Sequence, residues 1–540
     1  MRRYGVPAGM IEAATQRRSA GDWRGACRAA NVDAGVDLAA VRRSHGAELA
    51  ARVADDLAHL VPDLLRWHLP AAAEPVTATG TVTALRRYED GSGLFVRTAT
   101  AWDQPQRLRL RFGPLDAADL GHSLHLSPER WDDRHTTELL ARCGGRTRLP
   151  FFTADGTPLP PDRLGGDDHE GRTERVVRLF QADRAAEAWT VAGFTVDAPA
   201  YLLRHPRPGL TMLAERARHL AAATGSDTVT APLPSWYAML LDRLDGPSPR
   251  VRVVPAHDGL PPGVPVLPYA AHQWPTVLDD LRGGALDPAQ LHPLAGAALF
   301  PARAAPTMPA PARLPGPVEI RCGATWHEVA VRDGALRVPH PPQELTRELA
   351  LHALARRVEP GCAVAVQGWR TCGGWLPTAL IQLRKEVLGY VMHGEGGTVE
   401  ALLDAGLDPA LLDPMGRTLL HLLPWLFPAD ARMRVLDRLL AAGLDADARD
   451  RHGRTPLHYA VQRGAPAALI RALLAAGADP APPGPPLPTL AAAARREEVA
   501  ALLAAAAPHP SGDGRGDHGP AAEGRATDGP PEGPRPEPPR

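Results

Sequence analysis

Up to about residue 70, apolar side chains recur every three or four positions. Leu38 and Val41, then Leu57, Leu60, Val61, Leu64 and Leu65, keep a helical period, while Ser19-Ala20-Gly21-Asp22-Trp23 closes one helix and opens the next. Pro70 ends a helical segment over 1–72. The period then shortens. Val76 to Thr83 is β-branched and partly alternating, Gly93-Leu94-Phe95-Val96 follows a Glu89-Asp90-Gly91 turn, and Arg107 to Phe112 alternates strictly. With a helix over Thr136–Ala141 and a turn-rich stretch to Gly171, this predicts a small β-rich unit over 73–171. A helical segment over 172–245 and a Pro-rich linker over 246–316 follow. Residues 317–381 predict a small α+β unit: strands at Val318–Arg321 and Trp326–Val331, an Asp333-Gly334 hairpin turn, a third strand near Leu336, and a helix from Glu344 to Arg357. Residues 508–540 have no apolar period and are expected to be a disordered tail.

Two kinds of repetition run through this pattern. Asp22–Asp33 resembles Asp183–Asp197, each following a helix-like run and ending an Ala-rich helix with Asn or Gly, residues suited to a left-handed cap. The match suggests two helical hairpins of one type, although an Ala-rich chain produces such matches by chance and the segment is too short to name a repeat family. The second repetition is stronger. Asp413-Pro414-Met415-Gly416-Arg417-Thr418-Leu419-Leu420-His421 returns as Asp450-Arg451-His452-Gly453-Arg454-Thr455-Pro456-Leu457-His458. In step with it, Leu402-Leu403-Asp404-Ala405-Gly406, Leu439-Leu440-Ala441-Ala442-Gly443 and Leu473-Leu474-Ala475-Ala476-Gly477 recur, each followed two residues later by Asp.

This unit resembles the ankyrin repeat, a β-turn and two antiparallel helices marked by Thr-Pro-Leu-His. Thr455 can cap the first helix, and Pro456 sits where its missing N–H costs nothing. Leu457, Ala460, Leu473 and Leu474 face a shared core, and Gly464 and Gly477 take the turn and the left-handed cap. The resemblance gives His458 a hydrogen-bonding role in the turn rather than a metal. It predicts about four units over 382–507, the second interrupted by Pro424 and the last degenerate, and so an all-α solenoid preceded by α+β regions with small antiparallel β units and helical hairpins. The layout resembles uncharacterised bacterial ankyrin-repeat proteins with a long N-terminal region.

Arrays of this family bind proteins through turn tips and the outward side of the first helices. Carried onto this chain, those positions are Met415, Arg417, Arg451, His452, Arg454, Gln462 and Arg463, joined by Trp425 and Phe427 in the extended second turn. Trp425 has an equal alternative, folding back over the gap that Pro424 opens.

Composition narrows the rest. The chain has 540 residues, 44% hydrophobic, with 60 basic and 61 acidic side chains for a net charge of -1, which argues against a dedicated nucleic-acid binder. Lys385 is the single lysine, a skew that reads as high-GC codon usage and makes individual arginines less informative. No stretch is long and apolar enough to insert in a membrane and the opening residues form no secretory signal, so a cytoplasmic location is expected.

Cys27, Cys143, Cys322, Cys362 and Cys372 are dispersed, with no two-residue gap for a shared metal, and read as buried thiols. His122, His125 and His135 with Asp132 and Asp133 are a poor metal cluster, and Asp167-Asp168-His169-Glu170 reads as a solvated loop. Trp369 and Trp375 read as core residues sooner than as a pocket lining, and Arg515-Gly516-Asp517 reads as coincidence. No catalytic motif is found, so no catalytic, cofactor or metal residues are expected. The expectation is an intracellular scaffold binding a protein partner. The alternative places an enzyme of unidentified class in residues 1–380, with the repeats as its targeting or regulatory arm.

Overall fold

The computed structural model describes residues 5–506 apart from 70, 74–75, 78–79, 102–103, 115–123, 199–202, 204–208, 234–236, 257–259, 262, 268–273, 304–311, 356–359, 372, 484–485 and 494–495. The expected tail at 508–540, with Arg515-Gly516-Asp517, lies outside these residues, as do His122 and Cys372.

The chain begins with a helical hairpin, Ala8–Ser19 and Trp23–Ala29, in which the Asp22 carboxylate caps the second helix by accepting the Gly25 amide at 2.7 Å. Asn31 takes a left-handed conformation (φ 54°) and turns the backbone into a short strand, Val32–Ala34. That strand pairs in parallel with Leu108–Pro114, the last strand of an antiparallel meander whose other members are Val82–Arg87 and Ser92–Arg97. Leu124–His125 completes a five-stranded sheet on the far edge. Helices Leu38–His45, Ala47–Ala58 and Pro62–His68 contribute to the same core, centred on Leu57, Leu65, Trp67 and Trp131.

A second unit repeats the plan. The hairpin His169–Gln181 and Ala185–Val191 leads through left-handed Gly193 (φ 95°) into Thr195–Asp197. This strand also pairs in parallel with the last strand of a meander, Arg250–Pro255, beside Tyr237–Asp242 and Val229–Pro232. The two segments matched in sequence, Asp22–Asp33 and Asp183–Asp197, therefore occupy the same place in two units of one topology. Asn31 and Gly193 are the backbone positions that make the turn possible.

The expected domain limits shift accordingly. The 72/73 boundary falls inside one sheet, because Val32–Ala34 pairs with Leu108–Leu110. The 171/172 boundary falls inside a helix. Residues 246–316 are no simple linker: Arg250–Pro255 is a strand, and helices Thr276–Arg282 and Pro293–Leu299 add Val277, Leu278, Leu281 and Leu299 to the first core. Fully buried His292 accepts the Leu294 amide at Nδ1 and donates its Nε2–H to fully buried Asp63 at 2.9 Å, which fastens the later helix to Pro62–His68.

Beyond them a three-stranded meander, Val318–Cys322, Thr325–Arg332 and Ala335–Arg337, turns at left-handed Asp333 and Gly334. Helices Pro342–Ala355 and Cys362–Thr371 follow. Four helix pairs come next: Thr378–His393 with Gly396–Asp404, Leu419–Leu422 with Ala429–Ala441, Pro456–Gln462 with Ala467–Ala475, and Leu487–Ala493 with Glu497–Ala506. The meander and all four pairs share one continuous core from Ile320 to Leu503. Trp369 is part of that core, its indole N–H donating to Asp408 at 2.9 Å, whereas Trp375 is 37% exposed.

Candidate functional site

The turn tips before the second and the third helix pair are each organised by one aspartate. Asp413 Oδ1 accepts the amides of Met415 (2.9 Å) and Arg417 (2.8 Å), while Oδ2 takes the Arg417 Nε–H at 2.6 Å. Asp450 repeats this with the amides of His452 (2.8 Å) and Arg454 (2.9 Å), and its Oδ2 accepts the Tyr459 hydroxyl at 2.8 Å. Burial resists ionisation of Asp450, but these donors outweigh it and hold its carboxyl below the usual range. Left-handed Gly416 and Gly453 close the two turns, and the Arg451 amide donates to the Met415 carbonyl at 3.0 Å, joining one tip to the next.

The helix starts are equally repetitive. The amides of Thr418 and Thr455 each donate to Nδ1 of the histidine three residues on, His421 or His458, at 3.1 Å. An amide can only donate, so both rings keep Nδ1 bare and carry their proton on Nε2. His421 Nε2–H then donates to the Arg454 carbonyl at 3.1 Å, linking the second pair to the third. Burial pushes both imidazoles below their usual pKa, which keeps them neutral. These histidines are structural, as the family role implied.

Pro424 interrupts the second pair's first helix, and Leu423–Trp425 continues as a 3-10 turn. Trp425 folds inward and is 3% exposed. The Arg417 guanidinium lies 4.7 Å from its ring and 5.5 Å from that of Tyr459, Arg454 covers Tyr459 at 4.8 Å, and Arg463 sits 5.8 Å from Trp425. Arg417 and Trp425 were expected among the partner-contacting residues. The structure places them in the interior, Arg417 at 5% exposure, because the gap at Pro424 is filled by a stack of rings and guanidinium planes.

Phe427 is half-buried for a different reason: Arg107 of the first unit covers its ring at 5.1 Å. Around it the first unit docks on the turn of the first helix pair. The Asn31 side-chain amide donates to the His393 carbonyl (2.6 Å) and to Glu395 (3.2 Å), and the Gln106 amide donates to the Met392 carbonyl (2.8 Å). Fully buried Arg66 donates to the carbonyls of Gly5 and Gln106, both at 2.8 Å, and to His393 Nδ1 at 2.5 Å. Burial pushes the Glu395 carboxyl up to about 8, although Arg66 and Asn31 pull it down. The sequence carried no sign of this interface, since its partners lie in separate units.

What stays outside is a set of six. Arg451, His452 and Gln462 are exposed, and Met415, Arg454 and Arg463 are partly so. The opposite flank, formed by the second helices, carries surface ion pairs between successive pairs: Arg434 to Glu400 (2.9 Å), Arg438 to Asp404 (2.6 Å) and Arg471 to Glu498 (3.2 Å).

Residues 427–474 match the family model of ankyrin repeats (many copies). The ankyrin match runs from the second helix of the second pair through the third pair, which holds the closest sequence copy. No curated protein matches the chain. An ankyrin repeat is in general a protein-interaction module, and of the two tips just described the one at Asp450–Arg454 lies within the matched residues. Among the described residues, no helix is long and apolar enough to cross a membrane.

Two polar clusters behave differently from expectation. Glu170 is not in a solvated loop but 2% exposed, accepting the amides of Arg146 (2.6 Å) and Thr147 (2.8 Å). Burial opposes its charge, and these amides still bring it down to about 2. Asp168 next to it caps the following helix through the Gly171 amide at 2.7 Å. The second cluster is Cys322, His327, His340 and Cys362, whose ligand atoms all lie within 4.8 Å of one another. Sequence spacing missed it, because the four residues come from two strands, a loop and a helix start with gaps unlike any paired-ligand motif.

Proposed function

We propose that residues 378–506 form an ankyrin array that binds a protein partner at its turn tips, through Met415, Arg451, His452, Arg454, Gln462 and Arg463, and that the chain is an intracellular scaffold. The observation carrying this reading is the fixed frame under the third tip. Asp450 and its hydrogen bonds hold the backbone, so the Arg451 and His452 side chains project without packing duties. Three of the six are arginines, which favours a partner surface rich in carboxylates.

Arg417 and Trp425 support the surface from inside, and Phe427 is covered by Arg107 of the first unit. The alternative places an enzyme of unidentified class in residues 1–380. The cleft of about 440 Å³ beside Arg24, Arg28 and Arg111 offers one carboxylate, Asp33, already held by Arg107 at 2.6 Å.

The test is affinity capture with the full-length chain as bait, comparing the parent with an Arg451→Glu/Arg463→Glu double variant. A prey recovered by the parent and lost with the reversed charges supports the surface. Equal recovery by both would remove it.

A further inference from the structure

The inner face of the 318–337 meander ends in two metal-ligating side chains. Val318, Ile320 and Cys322 alternate along one strand, and His327, Val329 and Val331 along the next, with Ile320 opposite His327 and Val318 opposite Val329. Ile320, Val329 and Val331 are buried in the core shared with the helix pairs, so Cys322 and His327 continue that inward face to the hairpin's end. Their outward neighbour Trp326 is 60% exposed. Left-handed Gly323 lets the hairpin close tightly just beyond Cys322.

Two further side chains meet them there. His340 reaches in from the loop before helix Pro342–Ala355, and its Nε2 lies 2.9 Å from His327 Nδ1. Cys362 is the first residue of helix Cys362–Thr371, and its Sγ lies 3.6 Å from the same His327 nitrogen. A tetrahedral zinc site with metal–nitrogen bonds of ~2.0–2.1 Å and metal–sulfur bonds of ~2.3 Å has N···N and N···S edges of roughly 3.3 and 3.6 Å. The observed spacings sit within a few tenths of an ångström of those edges.

The surroundings are those of a ligand set. Glu344 holds the other ring nitrogen of His340, Nδ1, at 3.2 Å, which points the Nε2 lone pair into the cluster. The Cys362 amide donates to Cys322 Sγ at 3.3 Å, and the Cys362 sulfur stands at a helix N-terminus, both of which favour thiolate.

We propose that Cys322, His327, His340 and Cys362 bind one zinc ion in a closed, four-coordinate structural site. Two thiolates and two neutral imidazoles balance the 2+ charge, and the only covalent bookkeeping is the release of the two thiol protons as the metal–sulfur bonds form. Mixed sulfur and nitrogen donors select zinc over magnesium or calcium. The ion ties the Gly323 end of the hairpin to the start of the Cys362–Thr371 helix, while the turn at the other end of the same strand docks separately, the Gly334 amide donating to the Gly406 carbonyl of the first helix pair at 3.1 Å.

The test uses the full chain purified under a non-chelating reductant. About one zinc per chain is expected by elemental analysis. Replacing zinc with Co²⁺ is expected to give a thiolate-to-cobalt charge-transfer band and the intense visible absorption of four-coordinate cobalt. Cys143→Ser, a buried cysteine outside the cluster, keeps one metal. His340→Ala loses most of it, and His340→Cys recovers it with a stronger charge-transfer band. A metal-free chain after purification from zinc-supplemented medium, a weak six-coordinate cobalt spectrum, or a Cys322–Cys362 disulfide found by peptide mapping would each overturn the proposal.

Discussion

Trp425→Ala removes a ring that two guanidinium groups pack against, in an interior site that cannot close around the loss. A destabilisation of about 3–5 kcal/mol is expected in urea unfolding. Arg451→Glu, on the neighbouring tip but exposed, is expected to stay within about 0.5 kcal/mol of the parent while abolishing capture of the partner. The contrast separates residues that build the surface from those that touch the partner.

A second expectation concerns His421 and His458. Both have pKa values lowered in the folded chain, so the unfolded state takes up protons first as the pH falls. Stability should be level above the ordinary histidine value of ~6.5 and drop as acid passes below it. Thermal unfolding between pH 7.5 and 5 checks this, and His421→Gln should flatten part of the drop. The roles of Thr455, His458 and Gly477 were legible in the chain because each acts within a few residues of itself. Trp425 was ambiguous because its fate depended on how a proline gap in one helix would be filled by side chains from the next pair.

The hairpin-and-strand element makes a similar point. Asn31 and Gly193 end equivalent helices in left-handed conformations, and that much was visible in Asp22–Asp33 and Asp183–Asp197. The meanders that receive the two strands lie dozens of residues downstream, where alternation alone cannot say which strand pairs with which. Gly193→Ala should cost about 1 kcal/mol, since a β-carbon strains that backbone although there is room for it.

Asn31→Ala should cost about 1–3 kcal/mol for another reason as well: it leaves the buried His393 carbonyl without its closest donor. Hydrogen exchange at residues 391–396 is expected to rise in Asn31→Ala and not in Gly193→Ala. Equal exchange in both would show that the amide bond does not hold the docking.

For the whole molecule, the decisive contact is the one between the first unit and the first helix pair. Arg66, Arg107, Asn31 and His393 all face Glu395 or its neighbours, and Glu395 has a folded pKa of about 8 against an ordinary carboxyl near 4.5. A raised carboxyl favours the protonated form when folded, so its contribution is complete below about pH 4.5 and is lost as the pH climbs through 8. Limited proteolysis at the junction should therefore accelerate between pH 6.5 and 9, and Glu395→Gln should remove the acceleration. None of these partners could be paired from the sequence, because charge patterns report single helices and not the meeting of units far apart in the chain.

That same junction gives the helix stack a direction. A free-standing row of helix pairs can peel from either end, each pair leaving with the loss of one neighbour's contacts. Here the leading end is sutured by Arg66 and Asn31 to a sheet with its own interior, while among the described residues the last helix pair packs on one neighbouring pair. Opening is then expected to run from the last helix pair toward the anchored first pair. A force or protease applied to the far end would strip the last pair, then the third with its arginine tip, before reaching the anchored pair, so recognition would fail earlier than the fold.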